Sequence, residues 1–479
     1  MLLRYLKSYI YNSVAELRKY NIANGKEIIT NDFGDYQIVP RGTVSKIVNR
    51  ELDPSDNLYK DLLASYIISE QPVPRLIDNL SVRLSTRKSF LDNYTALHIF
   101  VVTLRCNQNC VYCQASSKVC DKSGVDMSKE DLFRSIDHMY MSPAPHLTME
   151  FQGGEPTLVP ELIKEGILYS ESKREQTGKS VTYVICTNSV NIPDHLLDFC
   201  SNYNVVFSTS LDGPEWLHNT NRGKSDSYQK VIAGIEKVRD AIGEYKVSAL
   251  MTTSELSLDH PKEIMDAYRA NKFNSIFIRS LNPYGLAKDN EDWPRYFDRF
   301  VEFYKIALDY IIEINKSGEL FVEELTTMIL KKILTPFPIG FVDLQSPSGI
   351  VNGVIVYNYD GYVYASDESR MLAENGDYKF RLGKITDDYE SIFYGRRVQE
   401  VSRVWATEYI AGCSECAYLS ICGADPVRNY STQGDEYGFR PSSTLCKKNM
   451  SIINHIFHLL DTRREELMPI FQRWITGVE

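Results

Sequence analysis

The stretch Leu104-Arg105-Cys106-Asn107-Gln108-Asn109-Cys110-Val111-Tyr112-Cys113-Gln114-Ala115-Ser116 decides how the chain is read. Its three thiols stand at C-x3-C-x2-C spacing. The apolar run 97–104 just before it reads as a buried strand, so Cys106 follows the strand directly. A tight loop returning three thiolates to one point holds three irons of a cubane cluster. A fully protein-ligated cluster takes four, so the trio leaves one iron open for a ligand. Taken by spacing alone, the trio also fits a structural zinc site completed by a distant residue, with Cys120 and His98 nearby.

Working outward, short apolar runs alternate with helical patterns up to residue 281. The expected strands are 97–104, 147–152, 181–186, 205–211, 247–252 and 275–281. Helices are expected at 129–140, 160–175, 193–201, 228–242 and 261–271, the first capped by Ser128 with Asp131. This alternation implies parallel β/α units. Six units rather than eight point to an α/β fold with a partial (β/α)6 barrel, whose active site lies at the C-terminal ends of the strands. Three motifs fall at such ends. Gly153-Gly154-Glu155-Pro156 follows the second strand, where glycines permit close approach of a ligand and Glu155 can pair with an ammonium. Thr187-Asn188 ends the third, and Ser210-Leu211-Asp212-Gly213-Pro214 the fourth, with His218 and Arg222 beyond.

Composition narrows the class. The 479 residues are enough for two to four domains, and 43% apolar with 24% charged residues describes a folded, soluble protein. A net charge of −10 argues against broad nucleic-acid binding, and no apolar run reaches membrane length. Residues 1–18 lack the apolar core of a secretory signal, so a cytoplasmic protein with reduced cysteines is expected.

The C-x3-C-x2-C motif with Tyr112 before its third cysteine resembles that of the radical S-adenosylmethionine (SAM) enzymes. The resemblance implies a [4Fe-4S] cluster on Cys106, Cys110 and Cys113, with SAM chelated at the open iron. Reductive cleavage of SAM would yield a 5′-deoxyadenosyl radical that takes a hydrogen from the substrate. Gly153, Gly154 and Glu155 match the family's SAM-amino motif. Ser210 and Arg222 stand where peptide-modifying members hold the SAM ribose and carboxylate, and Asn188 is a further candidate contact. His218 reads as structural. The run 278–283 resembles the family's sixth strand, whose end lies near the adenine.

Cys413, Cys416, Cys422 and Cys446 form C-x2-C-x5-C plus one distant cysteine. Alone this spacing fits zinc as well as a cluster. The region resembles a SPASM domain, an auxiliary-cluster module of peptide-modifying radical SAM enzymes. A full SPASM domain carries two auxiliary clusters. Here Ser366 and Pro426 replace two cysteines of the first, and no cysteine lies between Cys200 and Cys413. One auxiliary [4Fe-4S] cluster is therefore expected. Asp367 follows Ser366 and matches the proposed proton acceptor of sulfatase-maturing members, although a plain surface Asp is the alternative. Cys186 and Cys200 read as small buried residues, and Cys120 has no assignment.

Residues 1–88 read as a small α+β unit with a hairpin at 28–39 and helices at 44–50, 57–68 and 75–87. Such a unit fits either a peptide-recognition element working by strand addition or a scaffold packed on the barrel. The barrel is expected over 89–320. A bridging helix and the SPASM-like domain are expected over 321–479, with Ile452, Ile453, Ile456, Phe457, Leu459 and Leu460 in the core. The chain most resembles the maturase of His-Xaa-Ser repeat systems. That implies a ribosomally made peptide substrate, an installed cross-link or oxidation, a second radical SAM partner and an electron donor such as flavodoxin or ferredoxin. The rivals are an anaerobic sulfatase-type maturase forming formylglycine and a non-catalytic zinc-binding peptide scaffold.

Overall fold

A computed structural model of the chain describes residues 12–13, 17–70, 77–119, 124–289 and 292–477. Cys120 and most of the 1–18 segment lie outside them. The N-terminal hairpin forms, and a third strand joins it. β1 (Arg18–Asn21), β2 (Lys26–Thr30) and β3 (Tyr36–Pro40) make an antiparallel sheet in that order. The Asn31 carboxamide oxygen closes the turn by accepting from the Phe33 and Asp35 N–H groups at 3.0 Å each. Helices α1 (Thr43–Val48), α2 (Asn57–Ala64) and α3 (Ile77–Arg87) follow. Alternation along β2 splits its side chains between two cores. Ile29 packs with Val39, Ile47, Tyr59 and Leu62, while Ile28 joins the C-terminal helices.

From Leu97 the β/α order is as expected: β4 (Leu97–Thr103), α4 (Lys129–Met141), β5 (His146–Gly153), α5 (Pro160–Thr177), β6 (Ser180–Thr187), α6 (Asp194–Cys200), β7 (Val205–Ser210), α7 (Glu215–Arg222), α8 (Ser227–Ile242), β8 (Val247–Leu250) and α9 (Pro261–Ala270). The five strands run parallel as neighbours in that sequence. Ser128 caps α4, its hydroxyl accepting from Asp131 N–H at 3.0 Å. Leu147, Met149 and Phe151 of β5 and Val181, Tyr183 and Ile185 of β6 pack under the helices. The alternate positions, among them Glu150, Gln152, Cys186, Ser208 and Ser210, are only half-buried and line the inner face.

The expected sixth strand is a correction. Ser275–Ile276 pairs with Val322–Glu323 outside the main sheet, and further on only Ser280 bridges in parallel to Thr253, just past β8. Side chains take over the backbone groups that a ladder would use. Glu323 accepts from Ile278 N–H at 3.2 Å. The Tyr296 hydroxyl accepts from Leu281 N–H at 2.8 Å and donates to the Thr253 carbonyl at 2.6 Å.

The remaining elements are α10 (Trp293–Lys316), α11 (Glu324–Leu334), β9 (Val354–Asn358), β10 (Tyr362–Tyr364), α12 (Asp367–Ala373), β11 (Arg381–Lys384), α13 (Tyr389–Phe393), α14 (Arg396–Ser402), α15 (Pro426–Gln433), α16 (Thr444–Thr462) and α17 (Arg464–Thr476). β9 adds in parallel to the free side of β4, with Leu97 opposite Val354 and Val101 opposite Asn358. The sheet order is β8-β7-β6-β5-β4-β9-β10-β11, so one sheet draws strands from both sides of residue 320. The six core positions expected on α16 are all buried. Among the described residues no helix is long and apolar enough to cross a membrane.

Candidate active site

The Cys106 loop leaves the end of β4 and is held from three directions. Asn221 and Arg222, at the end of α7, supply carbonyls to Val111 N–H at 2.9 Å and Asn109 N–H at 3.4 Å. Leu286 N–H donates to the Cys113 carbonyl at 2.9 Å. From the third side, Gly154 and Glu155 N–H donate to the Thr103 and Arg105 carbonyls at 2.8 and 2.7 Å. A Cβ on Gly153 would stand 2.0 Å from the Thr103 oxygen, and one on Gly154 2.4 Å from that of Arg105. These glycines therefore permit close approach of backbone to backbone, at the loop that carries the cysteines. Gly223 and Gly285 do the same against the Asn109 and Cys113 carbonyls, at 2.5 and 2.3 Å, and sequence reading missed both.

Cys106, Cys110 and Cys113 lie within electrostatic reach of one another. Burial pushes the Cys106 thiol up to about 12 and raises that of Cys110. Buried sulfurs of this kind become thiolates when a metal's positive charge holds them. Donors already face them: Gln108 N–H to Cys106 Sγ at 3.5 Å, Asn188 Nδ2 to Cys106 Sγ at 3.9 Å, and Arg222 Nη1 to Cys110 Sγ at 3.8 Å. The donor set fits a thiolate-bound iron–sulfur cluster.

Arg222 does not offer a free fork to a SAM carboxylate. Its guanidinium grips Asp212, with Nε at 3.0 Å from Oδ2 and Nη2 at 2.7 Å from Oδ1. The Tyr112 hydroxyl donates to the same carboxylate at 2.5 Å. All three side chains are buried. Burial alone would raise the Asp212 carboxyl, but the Arg222 guanidinium holds it below the usual range. Asp212 was quoted in the sequence motif yet given no role; its signal was an acid ten residues before a buried Arg. His218 is structural, its Nδ1 accepting from Asp212 N–H at 3.3 Å and its Nε2 facing Ser227 at 3.0 Å.

Glu155 likewise turns inward. Its Oε1 accepts from Thr157 N–H and Oγ1 and from Thr187 Oγ1, and its Oε2 accepts from Asn188 N–H at 2.7 Å. Three contacts reach Oε1 and one reaches Oε2. Asn188 donates from Nδ2 to Asn107 Oδ1 at 2.7 Å, beside Cys106. Ser210 ends β7 half-buried on the inner face.

Further round the inner face, Glu150 accepts from Gln152 Nε2 at 2.5 Å and interacts electrostatically with Arg279 and Asp367. Cys186 stands beside Glu150 and Ser208, half-buried on the inner face; Cys200 is buried as expected. Asp367 is no surface acid. It heads α12 and pairs with the fully buried Arg370 at 2.6 Å. Arg370 donates from Nη1 to the Ala115 carbonyl at 3.2 Å, two residues past Cys113.

The second cysteine group assembles around the start of α16. Cys413, Cys416, Cys422 and Cys446 share one electrostatic neighbourhood and line a cavity of about 400 Å3. Arg440 Nη1 faces Cys413 Sγ at 3.6 Å, Tyr418 N–H faces Cys416 Sγ at 3.4 Å, and Asn449 Nδ2 faces Cys422 Sγ at 3.5 Å. These donors also fit cluster thiolates. Among the described residues no three His, Cys, Asp or Glu side chains close in tightly enough for one metal ion. At Ser366 and Pro426 the residues are helix starts: Ser366 caps α12, and Pro426 opens α15. Ser366 lines a cavity of only about 30 Å3 together with Glu368, Ala424 and Asp425.

Residues 100–268 match the Radical SAM superfamily. The chain carries a radical SAM domain and is an enzyme that uses SAM, and the family implies a [4Fe-4S] cluster. Beyond that domain it is similar to the cysteine-type anaerobic sulfatase-maturating enzyme of Clostridium perfringens (strain ATCC 13124), 23% identical over 325 residues, covering 66% of this chain and 84% of that protein. Its fold is similar to native anSMEcpe with bound AdoMet, with TM-score 0.62 and 19% identity over 79% of this chain and 99% of that one. It is also similar to SuiB of Streptococcus suis bound to precursor peptide SuiA, with TM-score 0.51 and 13% identity over 90% and 99%.

Proposed function

We propose that the chain is a maturase that modifies a ribosomally made peptide or protein, with a radical cluster on Cys106, Cys110 and Cys113 and one auxiliary cluster on Cys413, Cys416, Cys422 and Cys446. When bound, cluster and SAM together supply an electron and a 5′-deoxyadenosyl radical able to take hydrogen from an unactivated carbon. The chain's own residues do the rest. The Asp212–Arg222–Tyr112 group fixes the cysteine loop, Gly153 and Gly154 bring β5 against it, and Glu155, Asn188 and Ser210 would hold SAM. Asp367 accepts the proton that the substrate loses on oxidation. The observation that supports this reading is the bond of Asp367 to Arg370, which reaches the loop after Cys113, with Glu150 and Cys186 within electrostatic reach of Asp367.

The relatives' names supply the substrate class: sulfatases are matured by one, and a precursor peptide is bound to another. The finer assignment, a His-Xaa-Ser repeat precursor with a second radical SAM partner and an external electron donor, rests on the sequence resemblance. The 30 Å3 cavity beside Ser366 supports a single auxiliary cluster, because a second would need far more room. The test is anaerobic incubation with SAM, reductant and either a His-Xaa-Ser precursor or a sulfatase-derived Cys or Ser peptide, read by mass spectrometry. Loss of two hydrogens from the repeat peptide is expected. Conversion of only the sulfatase peptide would replace the proposed substrate, and zinc without iron in the purified protein would remove the radical reading.

A further inference from the structure

α12 starts at Asp367, and three residues on, one turn later, its Arg370 is wholly buried. A guanidinium in such a place needs strong reasons, since each unmatched donor is costly. Two of its nitrogens are matched. Nη2 donates to Asp367 Oδ1 at 2.6 Å, and Nη1 crosses to the Ala115 carbonyl at 3.2 Å. Nε is buried with no partner. The third link is electrostatic, to the Cys113 sulfur itself. Thus one rigid fork spans two segments 255 residues apart in sequence: the cysteine loop and the head of α12.

The partners restrict what this fork can do. The Ser366 hydroxyl accepts from Ser369 N–H, and Ser369 Oγ accepts from Ser366 N–H at 2.9 Å, so a capping box fixes the backbone at Asp367. The Asp367 side chain keeps its χ angles, and Arg370 is the only cation whose ion pair with it is seen among the described residues. Across the inner face stands Glu150, a like charge that would push Asp367 away were the guanidinium absent. The Ala115 carbonyl, by contrast, belongs to the cysteine loop, two residues past Cys113.

We infer that Arg370 is a positioning residue that transmits the state of the Cys106–Cys113 loop to the Asp367 carboxylate. It sets that carboxylate toward Glu150 and Cys186 of the inner face only when the loop is ordered around its guest. The inference rests on the proposed role of Asp367 as proton acceptor for its catalytic meaning. The mechanical link stands on the hydrogen bonds alone. Its consequence is economy of radical use: SAM cleavage and the fate of the substrate radical are tied through a single side chain.

The test is backbone amide hydrogen exchange across residues 366–373 in the full chain, before and after anaerobic cluster reconstitution. Wild type is expected to gain protection at α12 on reconstitution, and Arg370→Gln to lose that gain while α12 stays helical. Arg370→Lys keeps the cation without the fork and should recover part of it. With peptide substrate, Arg370→Gln should release about tenfold less product per 5′-deoxyadenosine formed, a loss within what a misplaced proton acceptor costs. Unchanged exchange at 366–373 on reconstitution of wild type overturns the link. Asp367→Asn with full product yield overturns the proton-acceptor reading instead and leaves the link standing.

Discussion

The two cysteine groups of this molecule are built on opposite plans. The Cys106 group is a short loop with three thiols, gripped by backbone on every side and backed by a buried acid–base pair, Asp212 and Arg222. Four thiols make up the other group, drawn from segments 413–422 and 446 and covered by a separate unit. That cover is the N-terminal sheet: Thr30 Oγ1 donates to the Ala417 carbonyl at 2.8 Å, Tyr20 packs on Tyr418 at 5.4 Å, Lys26 pairs with Asp461 at 2.7 Å, and Arg18 bonds to the Ser414 carbonyl. Three ligands and an inner face full of polar side chains suit a centre that must meet a small molecule. A centre with four ligands and a protein roof suits an iron–sulfur group that exchanges only electrons.

Three experiments would break or sharpen this contrast. The largest effect is expected from Cys106/Cys110/Cys113→Ala. Iron should fall from about eight to about four per chain, as for one lost four-iron cluster, and SAM cleavage should vanish. Cys413/Cys416→Ala should remove the same amount of iron yet spare SAM cleavage in the absence of peptide. Equal loss of cleavage from both variants would end the division of labour. A middle effect is expected from Arg222→Met, which strands Asp212. Breaking a buried pair from one side costs about 3–5 kcal/mol, read as a lower unfolding midpoint. A midpoint within error of wild type would show that the pair is not what anchors the loop.

The smallest effect concerns Glu368, beside the 30 Å3 cavity. Burial, with Asp343, Asp367 and Asp425 nearby, pushes its carboxyl up to about 8. In the unfolded chain a Glu titrates near 4.3, so between about 4.3 and 8 the folded state keeps a proton that the unfolded state releases. Stability from this group is full below about 4.3 and is lost as pH rises toward 8. Glu368→Gln lacks the proton exchange. Its midpoint should therefore gain on wild type as pH is raised from 5 to 8, in paired thermal melts. A constant difference across that range would mean that Glu368 is ionised and has a partner.

Much of this was legible because local signals agreed. Each of the first five strands is a short apolar run followed by an amphipathic helix, and their ends fall within a few residues of expectation. The cysteines announced themselves by spacing. Three things were not legible. β9 pairs with β4 across 257 positions, and nothing in Val354–Asn358 names its partner. The sixth strand looked like the others, yet Tyr296 and Glu323 from later helices and strands claim its backbone. Arg222, Glu155 and Gly153–Gly154 were assigned to a ligand because motifs sit where ligands bind. In the fold, Arg222 and Gly153–Gly154 meet the loop that carries the cysteines, and the Glu155 carboxylate accepts from Thr157, Thr187 and Asn188.

The N-terminal sheet leaves one more consequence. Arg18 meets Ser414 across 396 positions, and Lys26 meets Asp461 across 435. Contacts this distant in sequence close late in folding, because the long loop between them must be closed before they are gained. The side of the thiol quartet that the sheet covers is therefore among the last surfaces of the molecule to form.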